Sequence, residues 1–331
     1  MTFMNETDMT ATNAGIPSDI SPVTPVPRRR RAPTVVKSTP AVQAAKSRAV
    51  KTDNSPQMGL DLWPDTVRGI PNAALRGSLF SISQIRPTAK KRELIAAVDG
   101  IEVRVKGERF NQSDLDVWEE LIHLARGKAL GDRVQFSSNA LLKALDRGTG
   151  GTQHEQLAED IMRLRSTSVE IRWVKEGKRF AGGLISEYFY DENLQAYVVV
   201  FSEKMLKLFS EGYTRVDWEQ RKRLKSNNLA KWLHAFYSSH AEPFDYKVET
   251  IRDLCGSKSD QRLTDFRKQL RVAVEKLKSI GALLEWKIDP KSDLVSVRKK
   301  PSASQARHLE KRKERENNAA FNAPQVGFEQ F

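Results

Sequence analysis

Apolar and polar positions between residues 259 and 300 follow two successive patterns. Large apolar side chains recur every three or four residues at Leu263, Phe266, Leu270, Val274 and Leu277. This spacing predicts a helix with one buried face. Alternating apolar positions in 283–288 and 294–297 flank a polar turn at 289–293, and they predict a two-stranded β-ribbon. A helix followed by a ribbon is the second half of a winged-helix domain.

Capping residues predict where this helix begins and ends. Ser259 or Asp260 offers a side-chain oxygen to the first free backbone N–H groups. Gly281 stands where a residue of left-handed conformation commonly ends a helix. We therefore expect the helix to begin just after Ser259 or Asp260 and to end just before Gly281.

An internal repeat predicts that the winged helix occurs twice. Apolar residues of the first half recur in the same order and at nearly constant spacing in the second half. The matched pairs are Leu115/Leu229, Trp118/Trp232, Ile122/Phe236, Leu142/Ile251, Leu145/Leu254, Leu164/Leu277, Ser166/Ser279 and Trp173/Trp286. Each half then reads as helix, short strand, helix, helix and β-ribbon. We predict an α+β fold with two tandem winged-helix domains flanked by disordered N- and C-terminal tails.

Local signals add detail to the first half. Asp99-Gly100 predicts a two-residue hairpin turn between strands at 94–98 and 101–105. Residues 134–136 are expected to form a short strand. The expected helix N-caps are Ser113 or Asp114 for the helix that carries Trp118, and Thr152 for the helix that carries Leu164.

Shifts in composition divide the chain into five segments. Residues 1–56 are rich in Pro, Ser, Thr and Ala and include Arg28–Arg31, which predicts a disordered basic arm. The other segments are a short linear motif at 57–66, the first winged-helix domain at 80–212, the second at 213–300 and a basic flexible tail at 301–331. A frayed helix is the alternative for the tail.

Composition and charge favour a nucleic-acid partner. The chain has 331 residues, a formal net charge of +13 and a pI near 9.7, and such a balance suits a polyanion. Cys255 is the single cysteine, so no disulfide framework is expected and a reducing cytoplasm fits. No apolar run approaches the roughly 18 residues that span a bilayer, and the N-terminus does not resemble a secretory signal. We therefore expect a cytoplasmic protein without a membrane partner.

The second domain is expected to read DNA with its final helix. Long guanidinium and amide side chains can reach base edges in the major groove, and cations neutralise phosphates. The predicted DNA-binding residues are Gln261, Arg262, Thr264, Arg267, Lys268 and Arg271 on the helix, and Arg298, Lys299 and Lys300 after the ribbon. The alternative is an ordinary solvated basic face.

The corresponding helix of the first domain is more acidic. It carries Glu155, Glu159 and Asp160, so we expect weaker DNA contacts there, protein contacts, or both. The residues predicted to contact DNA from this helix are Gln153 and Arg163.

No catalytic chemistry is evident in the sequence. No Gly-x-x-x-x-Gly-Lys-Ser/Thr stretch predicts a P-loop. The five histidines and one cysteine do not show the spacing of a zinc site. We therefore predict a protein that is not an enzyme and that needs no cofactor or metal.

A short apolar motif follows the predicted arm. The residues Gln57, Leu60, Asp61, Leu62 and Trp63 resemble the peptides that bind bacterial sliding clamps. Gly59 and Trp63 depart from that pattern, which has glutamine and phenylalanine at these positions. The first hypothesis is that a disordered arm presents the motif to a clamp. The alternative is that Leu60, Leu62 and Trp63 dock on the neighbouring domain.

Several ordered segments together resemble a known family. They are Leu62–Thr66, Ile70–Asn72, Ala74–Phe80, Leu229–His240 and Thr250–Ser257. In their order along residues 57–300 they resemble the TrfA family of plasmid replication initiators. The resemblance implies binding to repeated origin sequences (iterons) in double-stranded DNA and opening of an adjacent AT-rich duplex, with contact to single-stranded origin DNA. It also implies recruitment of DnaA, the DnaB helicase and the sliding clamp, and copy control through a monomer–dimer equilibrium.

Two other classes of function are compatible with parts of the pattern. A transcriptional regulator with the same tandem domains would bind specific DNA without opening an origin. An enzyme bound to the clamp, such as a nuclease, would need metal ligands that the sequence does not supply.

Overall fold

Two hydrophobic cores divide the part of the chain that the computed structural model describes, namely residues 59–129, 131–257 and 261–321. The first core is built from residues between Leu60 and Trp218, with Ala235 added, and the second from residues between Leu224 and Val295. The two cores correspond to two domains. The first domain is larger than predicted, because residues 60–79 belong to its core and were expected to precede it.

The first domain alternates strands and helices. In chain order its elements are β1 (Val67–Pro71), α1 (Asn72–Leu75), β2 (Phe80–Ser81), β3 (Thr88–Ile95), β4 (Ile101–Glu108), β5 (Phe110–Asn111), α2 (Gln112–Ala125), β6 (Arg133–Ser137), α3 (Ser138–Ala144), α4 (Gly151–Ser166), β7 (Ser168–Trp173), β8 (Lys178–Gly182), β9 (Glu187–Asp191), β10 (Ala196–Val200), α5 (Met205–Ser210) and β11 (Tyr213–Asp217). Strand β11 pairs antiparallel with β1. The predicted boundary at residue 213 therefore lies too early, because this pairing joins β11 to the first domain.

The second domain follows a short basic helix. In chain order the remaining elements are α6 (Trp218–Arg223), α7 (Asn228–Ser238), β12 (Tyr246–Lys247), α8 (Val248–Leu254), α9 (Leu263–Ser279), β13 (Glu285–Ile288), β14 (Leu294–Arg298) and α10 (Ala303–Phe321). The predicted helix and ribbon of the opening pattern are α9 and the β13–β14 hairpin. Residues 303–321 form α10. A flexible tail was predicted for 301–331 with a helix as the alternative, and for these residues the structure has the helix.

Equivalent sheets establish two winged helices. In the first domain β10 lies between β6 and β9, and in the second β14 lies between β12 and β13, with antiparallel pairing throughout. In each case the short strand precedes the two helices, and the hairpin that follows them returns to pair with that strand. The prediction of tandem winged-helix domains is confirmed by this topology.

A separate sheet is inserted into the first domain. Its strand order is β3-β4-β7-β8, and β7 and β8 lie in the chain between α4 and the β9–β10 hairpin. Trp173 lies on β7, whereas Trp286 lies on β13, the counterpart of β9. The match between these two tryptophans is therefore wrong. The other matched apolar pairs are all buried and lie on equivalent helices, except that Leu145 is the residue just after α3.

Several predicted boundaries differ from the structure by one to three residues. Helix α2 is capped by Asn111, whose side chain accepts from Ser113 N and Asp114 N, while Asp114 accepts from Asn111 N in a capping box. Gly150 precedes α4, so Thr152 is not its cap. The hairpin β3–β4 has a longer connection than Asp99-Gly100, because Ile95 pairs with Val103.

The two ends of α9 differ in how well they were predicted. The N-cap position is Arg262, with no side-chain cap bond. Ser259 and Asp260 lie outside the described residues, and the helix starts later than they predict. Gly281 has a φ of 78°. Its N–H donates to Lys278 O, and Ala282 N–H donates to Leu277 O, which is a Schellman motif. The C-terminal prediction is confirmed.

Buried polar contacts join the two domains through α2, α6 and α7. The Arg221 Nε atom lies 2.8 Å from Asp116 Oδ1 and 3.0 Å from Glu119 Oε2, and Lys231 Nζ lies 2.6 Å from Asp116 Oδ2. Burial opposes ionisation of Asp116, but Arg221 and Lys231 hold its pKa below the usual value. Burial raises the pKa of Glu119 to about 7. These ion pairs join α2 of the first domain to α6 and to α7 of the second.

The chain between β1 and β3 adds a second bridge across the domains. The Trp232 indole donates to Gly77 O over 3.0 Å, and Ile82 N–H donates to Cys255 O over 3.0 Å. Arg76 donates to the side chain and the carbonyl of Ser239. The first domain therefore covers part of the core of the second.

Candidate nucleic-acid interface

Helix α9 has one fully buried face and one exposed face. Its buried side chains are Phe266, Leu270, Ala273, Val274 and Leu277, as the apolar spacing predicts. Lys268 and Val272 lie on the opposite side, with 78% of the Lys268 side chain and 64% of Val272 exposed. Thr264 and Arg271 are exposed as well. The helix therefore presents a mixed cationic and apolar surface to solvent.

The β13–β14 hairpin is fixed to one flank of α9. The Arg267 guanidinium donates to both oxygens of Asp293 over 2.9 and 2.8 Å, and the Trp286 indole donates to Glu275 Oε2 over 2.8 Å. Asp293 has a φ of 57° in the turn. Arg267 was predicted to contact DNA, but in this structure it orients the wing beside the helix.

The exposed cations of α9 differ in their local partners. Lys268 Nζ lies 3.7 Å from Asp265, a surface pair that contributes little to stability. Arg262 and Arg271 are exposed and have no ion-pair partner among the described residues. All three side chains are accessible to a polyanion, as the sequence predicts.

A groove runs along the other flank of α9. One part of it has a volume of about 700 Å³ and is lined by Ile82–Ile85 and by Gln261, Arg262 and Gln269. Gln261 accepts from the Ser257 hydroxyl, and its amide donates to Gln269 Oε1 over 3.0 Å. Gln261 therefore faces this groove but is held by neighbouring side chains.

The cations after the ribbon are not equivalent. Arg298 lies 2.6 Å from Glu285 across the hairpin. Lys299 Nζ donates to Gln305 Oε1 over 2.8 Å, and partial burial lowers its pKa to about 8. Gln305 in turn donates to Ser238 O over 2.8 Å. Lys300 is exposed. Lys299 therefore helps to hold the start of α10 against the second domain.

Arg163 of the first domain lies in a buried ion-pair network. Its side chain is 4% exposed and lies 2.6 Å from Asp114 and 3.1 Å from Asp160. Burial lowers the pKa of Arg163, but Asp114 and Glu108 outweigh this effect and raise it. Burial and the nearby Asp160 raise the pKa of Asp114 to about 6. The prediction that Arg163 contacts DNA is wrong, because its guanidinium stabilises the interior.

Gln153 lies in a cleft between the domains. It shares this cleft, of about 510 Å³, with cationic and polar side chains from the end of α6 to the start of α7, namely Lys222, Lys225, Ser226 and Asn228. Ser226 and Asn228 also line the groove beside Lys268 and Val272. The start of α4, the α6–α7 junction and α9 thus border one continuous surface. The basic run at 215–225 was the signal for this junction, but spacing alone did not assign it to the interface.

The outward strip of α4 is acidic. Glu155 and Glu159 are exposed there, together with Met162. These positions correspond to Lys268, Val272 and Glu275 when Leu164 is aligned with Leu277. This strip would repel phosphates, which agrees with the expectation that the first domain binds DNA less strongly.

The short apolar motif is largely part of the first domain. Trp63 is 4% exposed, stacks on Phe209 with ring centroids 6.3 Å apart and donates its indole N–H to His123 Nδ1 over 3.1 Å. Leu60 is also buried. Asp61 accepts from the Tyr213 hydroxyl over 2.8 Å. For Leu60 and Trp63 the docking alternative is what the structure shows.

Two residues of the motif differ from this picture. Leu62 is 74% exposed, contrary to the docking alternative for that residue. Gln57 lies outside the described residues.

The His123 ring that accepts from Trp63 is neutral. Burial, with help from Arg68 and Arg126, lowers the pKa of His123 to about 4. The ring is therefore neutral near pH 7, so Nδ1 accepts from Trp63 while Nε2–H faces Asp65 at 3.1 Å.

The described parts of the chain offer neither a metal site nor a membrane-spanning helix. Within residues 59–129, 131–257 and 261–321, no group of three or more His, Cys, Asp or Glu side chains is arranged to bind a metal ion. In the same ranges no helix is long and apolar enough to cross a bilayer.

Comparisons with known proteins agree with the sequence resemblance. The family model described as TrfA protein matches residues 34–299. A curated relative, the plasmid replication initiator protein TrfA of Escherichia coli, is 26% identical over 227 residues, which cover 66% of this chain and 59% of the relative. The matched region is therefore less than two thirds of that relative's length.

Two solved structures align with this chain at low sequence identity. Domains 2 and 3 of RctB align with a TM-score of 0.48 and 10% identity, covering 69% of this chain and 98% of that one. The Pi initiator protein in complex with iteron DNA aligns with a TM-score of 0.42 and 13% identity, covering 56% of this chain and 91% of that one.

Proposed function

The chain belongs to the TrfA family, and we propose on this basis that it initiates plasmid replication by binding iterons with α9. The observation that carries the proposal is the exposed strip of α9, where Lys268 and Val272 stand clear of the core beside a wing that Arg267 and Glu275 hold in place. A helix of this kind fits the major groove, while its cations neutralise phosphates. The prepositioned wing reduces the ordering that binding would otherwise require.

The scaffold supports one continuous footprint on the duplex. Lys222, Lys225 and Asn228 lie between α4 and α9 along the same surface. Cations at such a junction position a protein on the phosphate backbone without reading sequence. Base selection would then rest on α9, and the junction would hold the two domains in register on the DNA.

Opening of the origin is a further part of the proposal. The ion pairs of Arg221 and Lys231 with Asp116 join the two domains. Copies bound side by side on repeated sites would bend the intervening DNA, and the flexible TA steps of an adjacent AT-rich segment would unstack at low cost. Recruitment of DnaA and DnaB and contact with the released single strand would follow opening. A monomer–dimer equilibrium would control the number of active copies.

Contact with a sliding clamp through residues 57–63 would require a local rearrangement. Leu60 and Trp63 would have to leave the core of the first domain, and each exposed side chain would lose about 1.5–3 kcal/mol of burial. Exposed Leu62 is the residue of the motif that is accessible without such a change. Clamp binding that survives Leu62→Ala plus Trp63→Ala, with early melting, would show that the motif is structural.

The test of the proposed function separates binding from opening. Random duplexes would be selected on the full chain, and the enriched site should occur as direct repeats on the replicon that carries the gene. On supercoiled DNA with these repeats, permanganate should then modify thymines of the adjacent AT-rich segment only when the protein is present. Specific binding without new permanganate reactivity would instead identify a transcriptional regulator, and binding without any sequence preference would contradict both functions.

A further inference from the structure

Val272 is exposed in the middle of the helix proposed to enter the major groove. Its exposure of 64% means that the fold gains little from burying its side chain. A β-branched residue also has a lower helix propensity than alanine or lysine at such a position. The fold itself therefore gives no reason for valine at residue 272, although single exposed apolar residues are common.

The neighbours of Val272 define where it points. Lys268 and Gln269, one turn earlier, line the same groove as Val272, opposite Ile82, Gln84 and the α6–α7 junction. On the other flank, Arg267 and Glu275 are bound to the wing. Val272 thus lies on the exposed strip of α9, along the edge of the groove and away from the flank that contacts the wing.

We propose that Val272 recognises a thymine by packing against its C5-methyl group in the major groove. The proposal rests on the function proposed above and deepens it to one base. The thymine methyl is the apolar group that standard base pairs present in the major groove, and small apolar side chains contact it. Lys268, one turn away, would hold the phosphate backbone or a neighbouring guanine.

The surroundings favour DNA over a protein as the partner of Val272. Lys268 and Arg271 flank it with positive charge, and Gln269 adds hydrogen-bonding capacity. The exposed apolar side chains along this groove, Val272 and Ile85, are few and lie among polar ones, so they fall short of the apolar patch of a protein interface. The equivalent residue of the first domain is Glu159, whose carboxylate cannot serve the same purpose.

The experiment removes the methyl group from the DNA and the isopropyl group from the protein. The selected duplex would be synthesised with deoxyuridine in place of each thymine in turn, and affinities for the full chain would be measured at one salt concentration. At one position, loss of the methyl should weaken binding about three- to fivefold, since one buried methylene-sized group contributes about 0.8 kcal/mol. Val272→Ala should weaken binding to the thymine duplex by a similar factor and should bind both duplexes equally.

Two control variants keep the result interpretable. Val174→Ala makes the same chemical change at an exposed valine outside α9, and it should retain the full discrimination between thymine and deoxyuridine. Arg271→Ala should weaken binding to both duplexes alike. Val272→Ala should fold normally because alanine is the better helix former, and circular dichroism checks this.

Each outcome distinguishes the inference from the proposed function. If specific binding persists but no thymine shows a methyl effect that depends on residue 272, the inference is wrong and the proposed function stands. If Val272→Ala instead alters self-association while discrimination is unchanged, residue 272 contacts a second copy and the inference is wrong. If the chain shows no sequence preference, both fail together.

Discussion

The two helices α4 and α9 share their large buried apolar positions but differ in their exposed residues. When Leu164 is aligned with Leu277, the buried positions Leu157 and Ile161 coincide with Leu270 and Val274. On the outside, Glu155 and Glu159 coincide with Lys268 and Val272. The shared core positions preserve the winged helix, whereas the outward residues decide what each copy can bind. A repeated fold therefore does not imply a repeated function.

The way the two helices are held in place differs as well. Asp160 of α4 is buried in the ion-pair network of Arg163 and Arg147, and its counterpart in α9 is the buried Ala273. Helix α9 is held by apolar packing and by the two polar contacts to its wing. In the first domain the cations Arg147 and Arg163 are therefore paired with buried Asp160. In the second domain the cations Lys268 and Arg271 of α9 remain exposed.

The largest expected effect tests the shared interior. Trp118 and Trp232 occupy equivalent buried positions, and each indole donates to a backbone carbonyl, over 3.3 Å to Leu184 and 3.0 Å to Gly77. Trp118→Ala and Trp232→Ala should each lower the free energy of unfolding by about 3–5 kcal/mol through lost burial and a residual cavity. Chemical denaturation measures both. A loss below about 1 kcal/mol in either variant would break the equivalence of the two domains.

The next effect tests the difference in anchoring. Arg163 aligns with Lys276, which is half-buried and has no ion-pair partner within the described residues. Arg163→Met should cost about 3 kcal/mol, because it removes a guanidinium 2.6 Å from the buried Asp114 and 3.1 Å from the buried Asp160 and leaves Arg86 and Arg147 as their remaining cations. Lys276→Met is the matched control and should change stability by less than about 0.5 kcal/mol. Equal effects of the two substitutions on the denaturation midpoint would contradict the contrast in anchoring.

Acid should affect the second domain through His234. Burial, together with the nearby Arg221, lowers the pKa of His234 to about 3, below the value of about 6.5 in an unfolded chain. Between these values the unfolded state binds the extra proton, so stability should fall as the pH drops from about 6.5 to 4, by up to about 1.4 kcal/mol per pH unit.

The variant His234→Gln isolates this contribution. It should make the dependence of unfolding free energy on pH shallower in that window, while the contributions of His123 and His240, whose pKa values burial also lowers to about 4, remain. Glu119 has the opposite effect on stability. Its pKa in the folded protein is raised to about 7, so the folded state binds a proton more tightly than the unfolded state, and this contribution increases stability as the pH falls below about 7. An unchanged slope would show that His234 is not buried as a neutral ring.

The sequence predicted the parts of the fold that depend on local periodicity. The apolar stripe of α9, the Gly281 terminus, the β13–β14 hairpin and the repeated Trp118/Trp232 positions follow from spacing within one element. Trp173 misled the alignment because a tryptophan at a strand position carries no information about which sheet the strand joins. The insertion of β7 and β8 into a sheet with β3 and β4 depends on pairing over long sequence separations, which periodicity does not encode.

The candidate site shows the same limit at the level of side chains. Exposure of Lys268 and Arg271 followed from their place opposite the apolar stripe. The roles of Arg163 and Arg267 could not be foreseen, because each is decided by a carboxylate distant in sequence, Asp114 for the former and Asp293 for the latter. The choice between a presented and a docked Trp63 stayed open for a similar reason, since Phe209 and His123, which cover it, lie far along the chain.

The exchange of charge between α4 and α9 tests most directly the claim that the second domain reads the DNA. Lys268→Glu and Glu155→Lys would be compared with the parent chain on the selected duplex, over a series of salt concentrations, with circular dichroism as the check on folding. We expect Lys268→Glu to weaken binding at least about tenfold and to reduce the salt slope by about one phosphate contact. Glu155→Lys should change affinity by no more than about twofold. Unchanged affinity of a folded Lys268→Glu variant at physiological salt, or a larger effect at residue 155 than at residue 268, would contradict the account.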